Sequence, residues 1–366
     1  MMLRWGILGA AQIARKNWHA ILNSGNGIVR AVASRDLKRA RQFVDECQRQ
    51  CPFSDVPESV GSYEELLARK DIDAVYIPLP TGLRKEWVLR AAAAGKHIVC
   101  EKPCAIHATD VQEMIDACRK HGVQFLDGVM FMHSRRLEAL RATLDDDKTI
   151  GAIRRIQSSF SFGGSSEFFS ANIRAQSELE PHGCLGDLGW YCLRFSLWAM
   201  KEQLPYAVSG RRLAQFRHAN SSKDVPTEFS GELLFAGGAS AGFFCSFITE
   251  LQQWVHVSGT AGLLRMDDFV LPHYGAELRF EVGQPEFQVT GCRFNMEARQ
   301  RSVIVPEYSN NHESAQETNL FRNLARQVQT GSLNEEWPNL ALRTQQVMEA
   351  CLKSAEQDGR LLQVQP

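Results

Sequence analysis

The feature that most constrains this chain is an alternation of short apolar runs with helical segments through its N-terminal third. Residues 3–8 form an apolar run, and Gly9-Ala10-Ala11 follows it. Residues 12–22 then place Ile13, Ala14, Trp18, Ile21 and Leu22 at helical spacing. The order recurs as an apolar run at 28–33, a charged helix at 37–47, a short helix from 63 to 67 and a buried strand at 74–80 ending in prolines. A helix at 87–94 closed by Gly95, a strand at 97–100, a helix at 111–121 closed by Gly122 and a strand at 123–126 complete it. Strands that alternate with helices predict a parallel sheet with right-handed crossovers. Such sheets bind ligands beyond the carboxyl ends of their strands. Gly9, Ser34, Pro80 and Lys102 all fall at those ends.

Beyond about residue 150 the period changes. Residues 153–162 alternate Ile153, Ile156, Phe160 and Phe162 with polar neighbours, and further strands are expected at 231–235, 241–247, 254–257 and 263–267. Ala236-Gly237-Gly238 and Gly259-Thr260-Ala261-Gly262 read as hairpin turns between them. Helices at 318–329 and 340–356 close the chain, and residues 284–303 show no clear period. The predicted fold is therefore α/β. A Rossmann doubly wound parallel sheet spans residues 1–127, and residues 128–366 form an α+β domain with a large open, mostly antiparallel sheet.

Composition removes several classes of function. The 41 Lys and Arg balance 42 Asp and Glu for a net charge of -1, so a nucleic-acid partner is not expected. No apolar run reaches the ~18 residues of a membrane span, and the N-terminus lacks the apolar core of a secretory signal. Ten cysteines are scattered without C-x-x-C or His/Cys zinc spacing, which reads as reduced thiols in a cytoplasmic protein with no metal site.

The turn after the first strand reads Gly9-Ala10-Ala11-Gln12-Ile13-Ala14. Against the dinucleotide pattern G-x-G-x-x-G/A, Gly9, Ala11 and Ala14 hold the small positions, and the helix start offers free N–H groups to a pyrophosphate. Only one of the three is glycine, so a tight turn without nucleotide fits as well. The second strand should end in Asp or Glu in an NAD enzyme. Ser34 stands there instead, with Arg35, Asp36 and Arg39 following, a set that favours NADP over NAD. Ser34 or Asp36 could equally cap the next helix. Leu79, Pro80, Thr81, Glu101 and Lys102 complete the expected cofactor edge.

Lys102, in Glu101-Lys102-Pro103, would face the nicotinamide end of such a cofactor, where an ammonium can hold a substrate hydroxyl. In Gly186-Asp187-Leu188-Gly189-Trp190-Tyr191, Asp187 and Tyr191 are four apart and share one helix face, with Arg194 near the same stripe. Lys102, Asp187 and Tyr191 form a plausible proton-transfer set, in which Lys102 is expected to lower the pKa of Tyr191. A buried amphipathic helix with Asp187 as a cap is the plainer reading of that segment alone. His133, Phe162, Arg174, Trp190 and Arg194 are candidate substrate contacts, and core or surface roles suit each of them as well.

Arg4-Trp5-Gly6-Ile7-Leu8-Gly9, Tyr76-Ile77-Pro78-Leu79-Pro80, Ala94-Gly95-Lys96-His97 leading to Glu101-Lys102-Pro103, Gly128-Val129-Met130-Phe131-Met132-His133 and Gly186 to Tyr191 together resemble the glucose–fructose oxidoreductase / inositol dehydrogenase (Gfo/Idh/MocA) family. The resemblance is closest to the branch that contains dihydrodiol dehydrogenase and NADP-dependent xylose dehydrogenase. It implies an NAD(P)-dependent oxidoreductase acting on a sugar, polyol or cyclic diol, with Lys102 as catalytic lysine, Tyr191 as acid/base and Asp187 as a positioning carboxylate. It also implies that the Lys102–Pro103 bond is often cis, and that the open sheet serves as the interface of a homodimer or homotetramer. Tyr191 replaces a histidine found in many members, and Thr81 and Arg84 stand where Asn and His are common. A catalytically silent sugar sensor and a cofactor-dependent glycosidase are the competing functions on this scaffold.

Overall fold

The computed structural model describes residues 2–364; Met1, Gln365 and Pro366 lie outside the described residues. Strands β1 (Leu3–Leu8), β2 (Gly27–Ala33), β3 (Glu58–Val60), β4 (Ala74–Ile77), β5 (His97–Cys100) and β6 (Phe125–Asp127) form one sheet in the order β3-β2-β1-β4-β5-β6. Every neighbouring pair in it is parallel. Helices α1 (Gln12–Asn23), α2 (Leu37–Gln50), α3 (Tyr63–Ala68), α4 (Thr81–Ala93) and α5 (Ala108–Lys120) supply crossovers. The strand order reverses between β1 and β4, which opens a crevice at their carboxyl ends.

Helix α4 begins six residues earlier than the apolar spacing suggested, with Pro80 at its N-cap. Proline suits a helix entry because its φ is already helical and it has no N–H to leave unpaired. The first turn escaped the periodicity because its inward side chains, Thr81 and Arg84, are polar yet buried.

Helix α6 (Arg136–Leu144) leads into β7 (Ile153–Gly163), α7 (Ser166–Ala171), α8 (Trp190–Ala199), β8 (Ala207–Phe216), β9 (Val225–Leu234), β10 (Ser240–Ser246), β11 (Ile248–Gly259), β12 (Leu263–Met266) and β13 (Glu277–Gly283). Hairpin β14 (Glu286–Thr290) and β15 (Arg293–Glu297), strand β16 (Gln300–Pro306), helices α9 (Gln316–Thr330) and α10 (Glu336–Ala355), and β17 (Leu362–Gln363) follow. Nine of these strands form a sheet in the order β16-β13-β12-β11-β7-β10-β9-β8-β17. It is antiparallel except for the parallel pair β7–β10. The aperiodic stretch 284–303 proves to be a separate two-stranded ribbon leading into an edge strand, both largely exposed, so no buried face imposes an alternation.

Helix α10 packs beneath the larger sheet, and its Val347, Met348 and Cys351 join the core of α8 and β8–β10. Helix α9 instead returns to the parallel sheet. Its Phe321 ring meets Trp5 at 5.1 Å and Tyr76 at 5.8 Å, both edge-on. Edge-to-face aromatic pairs of this kind add about 0.5–1.5 kcal/mol each beyond area burial. A segment far along the chain thus covers one face of the parallel sheet, a partnership that local sequence does not encode. No helix among the described residues is long and apolar enough to cross a membrane.

Candidate active site

Four connections bring the predicted residues to one edge of the parallel sheet. After β1, Gly9 adopts φ +119°, which strongly favours glycine. Its amide donates to Ala33 O at 2.9 Å and so ties this turn to the end of β2. Ala11 caps α1 with no side-chain hydrogen bond, and the first turn carries no acid. The opening amides of α1 are therefore not closed by a side chain, as a phosphate site requires. After β2, Ser34 is buried and accepts from the Asp36 amide, while the Asp36 carboxylate accepts from the Lys38 amide as the cap of α2. The capping role is thus real, and it leaves Arg35 and Arg39 exposed beside Tyr63 without a committed carboxylate at the strand end.

After β4, the Thr81 amide and hydroxyl donate to Glu180 at 3.1 and 2.5 Å. Arg84 donates to Leu79 O at 2.7 Å and to the Thr81 hydroxyl at 2.9 Å, and also to Pro103 O. Thr81, expected at the cofactor edge, is therefore occupied by the protein itself, and Glu180 fastens the loop before α8 to the start of α4. After β5, Tyr76 donates to the buried Glu101 at 2.6 Å, and the Lys102–Pro103 peptide is cis.

Lys102 reaches across to the second half of the chain. Its Nζ donates to Asp187 Oδ1 at 2.6 Å and to Asp187 O at 2.7 Å. Asp187 lies in a single wide π turn, Leu185–Gly189, that precedes α8. A Cβ on Gly186 would lie 2.7 Å from His182 Cβ and 3.2 Å from Pro103 Cγ, so glycine permits this turn to approach the Lys102–Pro103 corner. Arg174, in the turn Ile173–Ala175, places Nε 2.8 Å from Asp187 Oδ2. Burial alone would raise the Asp187 carboxyl, but Arg174 and then Lys102 outweigh it and hold it well below the usual carboxylate range. Asp187 is ionised at any working pH.

Tyr191 is buried, and its hydroxyl makes no hydrogen bond among the described residues. Lys102 Nζ sits 4.6 Å from its ring centroid. The expectation that Lys102 lowers the Tyr191 pKa is not met here. The ammonium is bound to Asp187, and burial, with Glu101 and Asp187 nearby, pushes the phenol well above its usual value. The cation that opposes this rise is Arg174.

These groups line one cavity of about 860 Å³ that also touches Ala11, Gln12 and Ile13 at the start of α1. Leu79, Glu101, Phe162 and Arg174 line it too, whereas Gly9, Ala10, Ser34, Arg35, Arg39, Pro80 and Thr81 of the predicted cofactor edge do not. Three predicted substrate residues do not line it. Arg194 and Trp190 are fully buried, and Arg194 forks onto Asp127 at 2.6 and 3.2 Å while donating to Thr344. Arg194 lies about a turn beyond Tyr191 on α8, where the cavity has ended, and Trp190, one residue before Tyr191, is buried in the core. His133 contacts Asn323 at 3.1 Å and packs on Trp337, and burial pushes its ring down to about 3. Missing from the sequence reading of the site were Asn172, Glu180, Phe160, Leu251 on β11 and the loop residue Leu271. They come from separate loops and strands, and no local pattern marks them.

Residues 3–129 match the family described as "Oxidoreductase family, NAD-binding Rossmann fold", and residues 138–265 match the "GFO/IDH/MocA C-terminal domain". The chain belongs to the Gfo/Idh/MocA family of NAD(P)-dependent oxidoreductases. It is 34% identical over 275 residues to trans-1,2-dihydrobenzene-1,2-diol dehydrogenase of Sus scrofa, covering 73% of this chain and 75% of that protein. It is 32% identical over 291 residues to D-xylose 1-dehydrogenase (NADP(+)) 2 of Haloferax volcanii, covering 76% and 80%. In fold it is similar to a 3-ketoreductase from Actinomadura kijaniata solved with NADP and TDP-benzene, with a TM-score of 0.78 over 97% of this chain and 98% of that one at 25% identity.

Proposed function

We propose that this chain catalyses NADP-linked hydride transfer at a carbinol or carbonyl carbon of a sugar, polyol or cyclic diol. The observation that carries the reading is the single cavity that joins the open start of α1 to Lys102, Asp187 and Tyr191. Bound NADP(H) would supply or accept the hydride at its nicotinamide ring. The residues present fit that cofactor: Gly9 with the uncapped α1 start suits the pyrophosphate, and exposed Arg35 and Arg39, with Asp36 turned to its helix, suit a 2′-phosphate.

The remaining work falls to side chains. Asp187 fixes the Lys102 ammonium through two short bonds, which positions it to hold the reacting oxygen. Tyr191, with a hydroxyl that makes no hydrogen bond among the described residues, is the proton donor to that oxygen in the reductive direction and its acceptor in reverse. As an acid it is ready in this structure, since burial keeps the phenol neutral. As a base it depends on positive charge brought close to it. Steady-state assays on a panel of sugars and cyclic diols with NADP+ and NAD+ test the reading. Turnover is expected with NADP+ and is expected to fall by roughly 10²–10⁴ in Tyr191→Phe. Cofactor binding with no turnover on any member of the panel would refute it.

A further inference from the structure

The chemistry of the substrate wall goes further than the reaction class. Four carboxylates line the cavity, and each is engaged. Glu101 accepts from Tyr76, Glu180 from Thr81, and Glu317 from the Asn311 amide at 2.8 Å. Asp187 has Lys102 on one oxygen and Arg174 on the other. The donors of Lys102 already named both go to Asp187. Arg174 differs. Its closest approach to Asp187 is through Nε, its terminal nitrogens make no hydrogen bond among the described residues, and its side chain is 41% exposed along the cavity. Two residues earlier, Asn172 accepts from the Arg174 amide through Oδ1 at 3.0 Å, which leaves its Nδ2 as a donor. Asn172 also lines the cavity. The neighbouring wall is apolar, built from Phe160, Phe162 and Leu271.

A neutral polyol needs acceptors as well as donors around its hydroxyls. This edge offers a guanidinium fork, which only donates, and the Nδ2 of an amide whose oxygen already accepts from the Arg174 backbone. We propose that Arg174 and Asn172 form a carboxylate subsite, and that the preferred substrates are sugar acids rather than neutral sugars. The planar guanidinium matches the two oxygens of a carboxylate, and the Nε contact to Asp187 holds the fork in place. The assignment rests on the hydride-transfer reading only for the reaction, since binding can be measured separately.

The test uses matched aldoses, uronates and aldose 6-phosphates in the gluco, galacto and manno series. Binding to the NADP-loaded protein is followed by calorimetry, and turnover is followed in parallel. In at least one series the uronate is expected to bind roughly 10- to 100-fold more tightly than the aldose, as for a hydrogen-bonded charged group. Arg174→Gln should erase that ratio, Arg174→Lys should restore part of it, and Asn172→Ala should reduce it. A uronate that binds no better than its aldose in every series overturns the proposal. So does an Arg174→Gln ratio equal to wild type, or a preference for the phosphate ester over the uronate. Uronate binding that depends on Arg174 but gives no turnover supports the subsite and refutes the hydride-transfer reading alone.

Discussion

Two carboxylates near the same helix, Asp127 and Asp187, each meet strong cations and come to opposite ends. Asp127, at the end of β6, receives the Arg194 fork, and both side chains are 2% exposed. The remaining Arg194 donor Nε goes to Thr344 on α10. Every direction is closed, so the pair ties the parallel sheet to α8 and α10 and offers nothing to a ligand. Asp187 is flanked by Lys102 and Arg174, but Arg174 opens onto a cavity. The chemistry of the groups is nearly the same. Access decides whether it holds the fold together or serves a reaction.

Removing each carboxylate separates the two regions. Asp127→Ala leaves Arg194 buried and uncompensated, and is expected to destabilise the protein by about 3–5 kcal/mol in urea unfolding. Asp187→Ala should cost much less stability, about 1–2 kcal/mol, because Lys102 and Arg174 border a cavity that admits water, yet it should abolish most turnover. Equal losses of stability in the two variants would break the distinction.

The sealed region should also dominate the acid response. Burial holds His133 at about 3 and His182 at about 4, against an unfolded value near 6.5. Their folded pKa values are depressed, so the stability they contribute is complete above pH 6.5 and is lost as the pH falls toward 4. By pH 4 each costs about 3 kcal/mol relative to pH 7. The paired variants His133→Gln and His182→Gln should flatten the stability profile between pH 6.5 and 4. An unchanged slope would show that other groups set it.

The smallest expected effect lies at the far end of the cofactor edge. Arg39→Ala should lower the kcat/KM ratio of NADP+ over NAD+ by roughly tenfold, since exposed charge pairs are screened and contribute about 0.2–1 kcal/mol each, with somewhat more for a phosphate. The same variant should leave urea unfolding unchanged. A ratio that does not move would transfer the 2′-phosphate to Arg35 alone.

Much of the parallel sheet was legible in the chain because each strand and helix there is a local unit with its own period. Glu101, Lys102, Asp187 and Tyr191, which one cavity brings together, each lie in a compact motif of the chain, and Gly9 stands in the turn after the first strand. Helix α4 was read late because its first buried turn is polar, and the hairpin at β14–β15 was missed because it buries no face. His133, Trp190 and Arg194 were misplaced for other reasons. For Arg194, helical spacing gives the side of α8 but not how far along that side the cavity extends, whereas Trp190, next to Tyr191, is buried in the core and His133 lies buried on the separate turn Met130–His133.

The sequence by itself determined the strand–helix order, the glycine turn, and the lysine, aspartate and tyrosine available for chemistry. These follow from steric and periodic rules that act over a few residues. Only the tertiary structure decided that Asp187 is shared by Lys102 and Arg174, that Thr81 is taken by Glu180, and that α9 closes the nucleotide sheet. Those contacts join segments tens to hundreds of residues apart. Their partners are selected by burial and by the need to satisfy charge away from water, a requirement that exists only once the chain is packed.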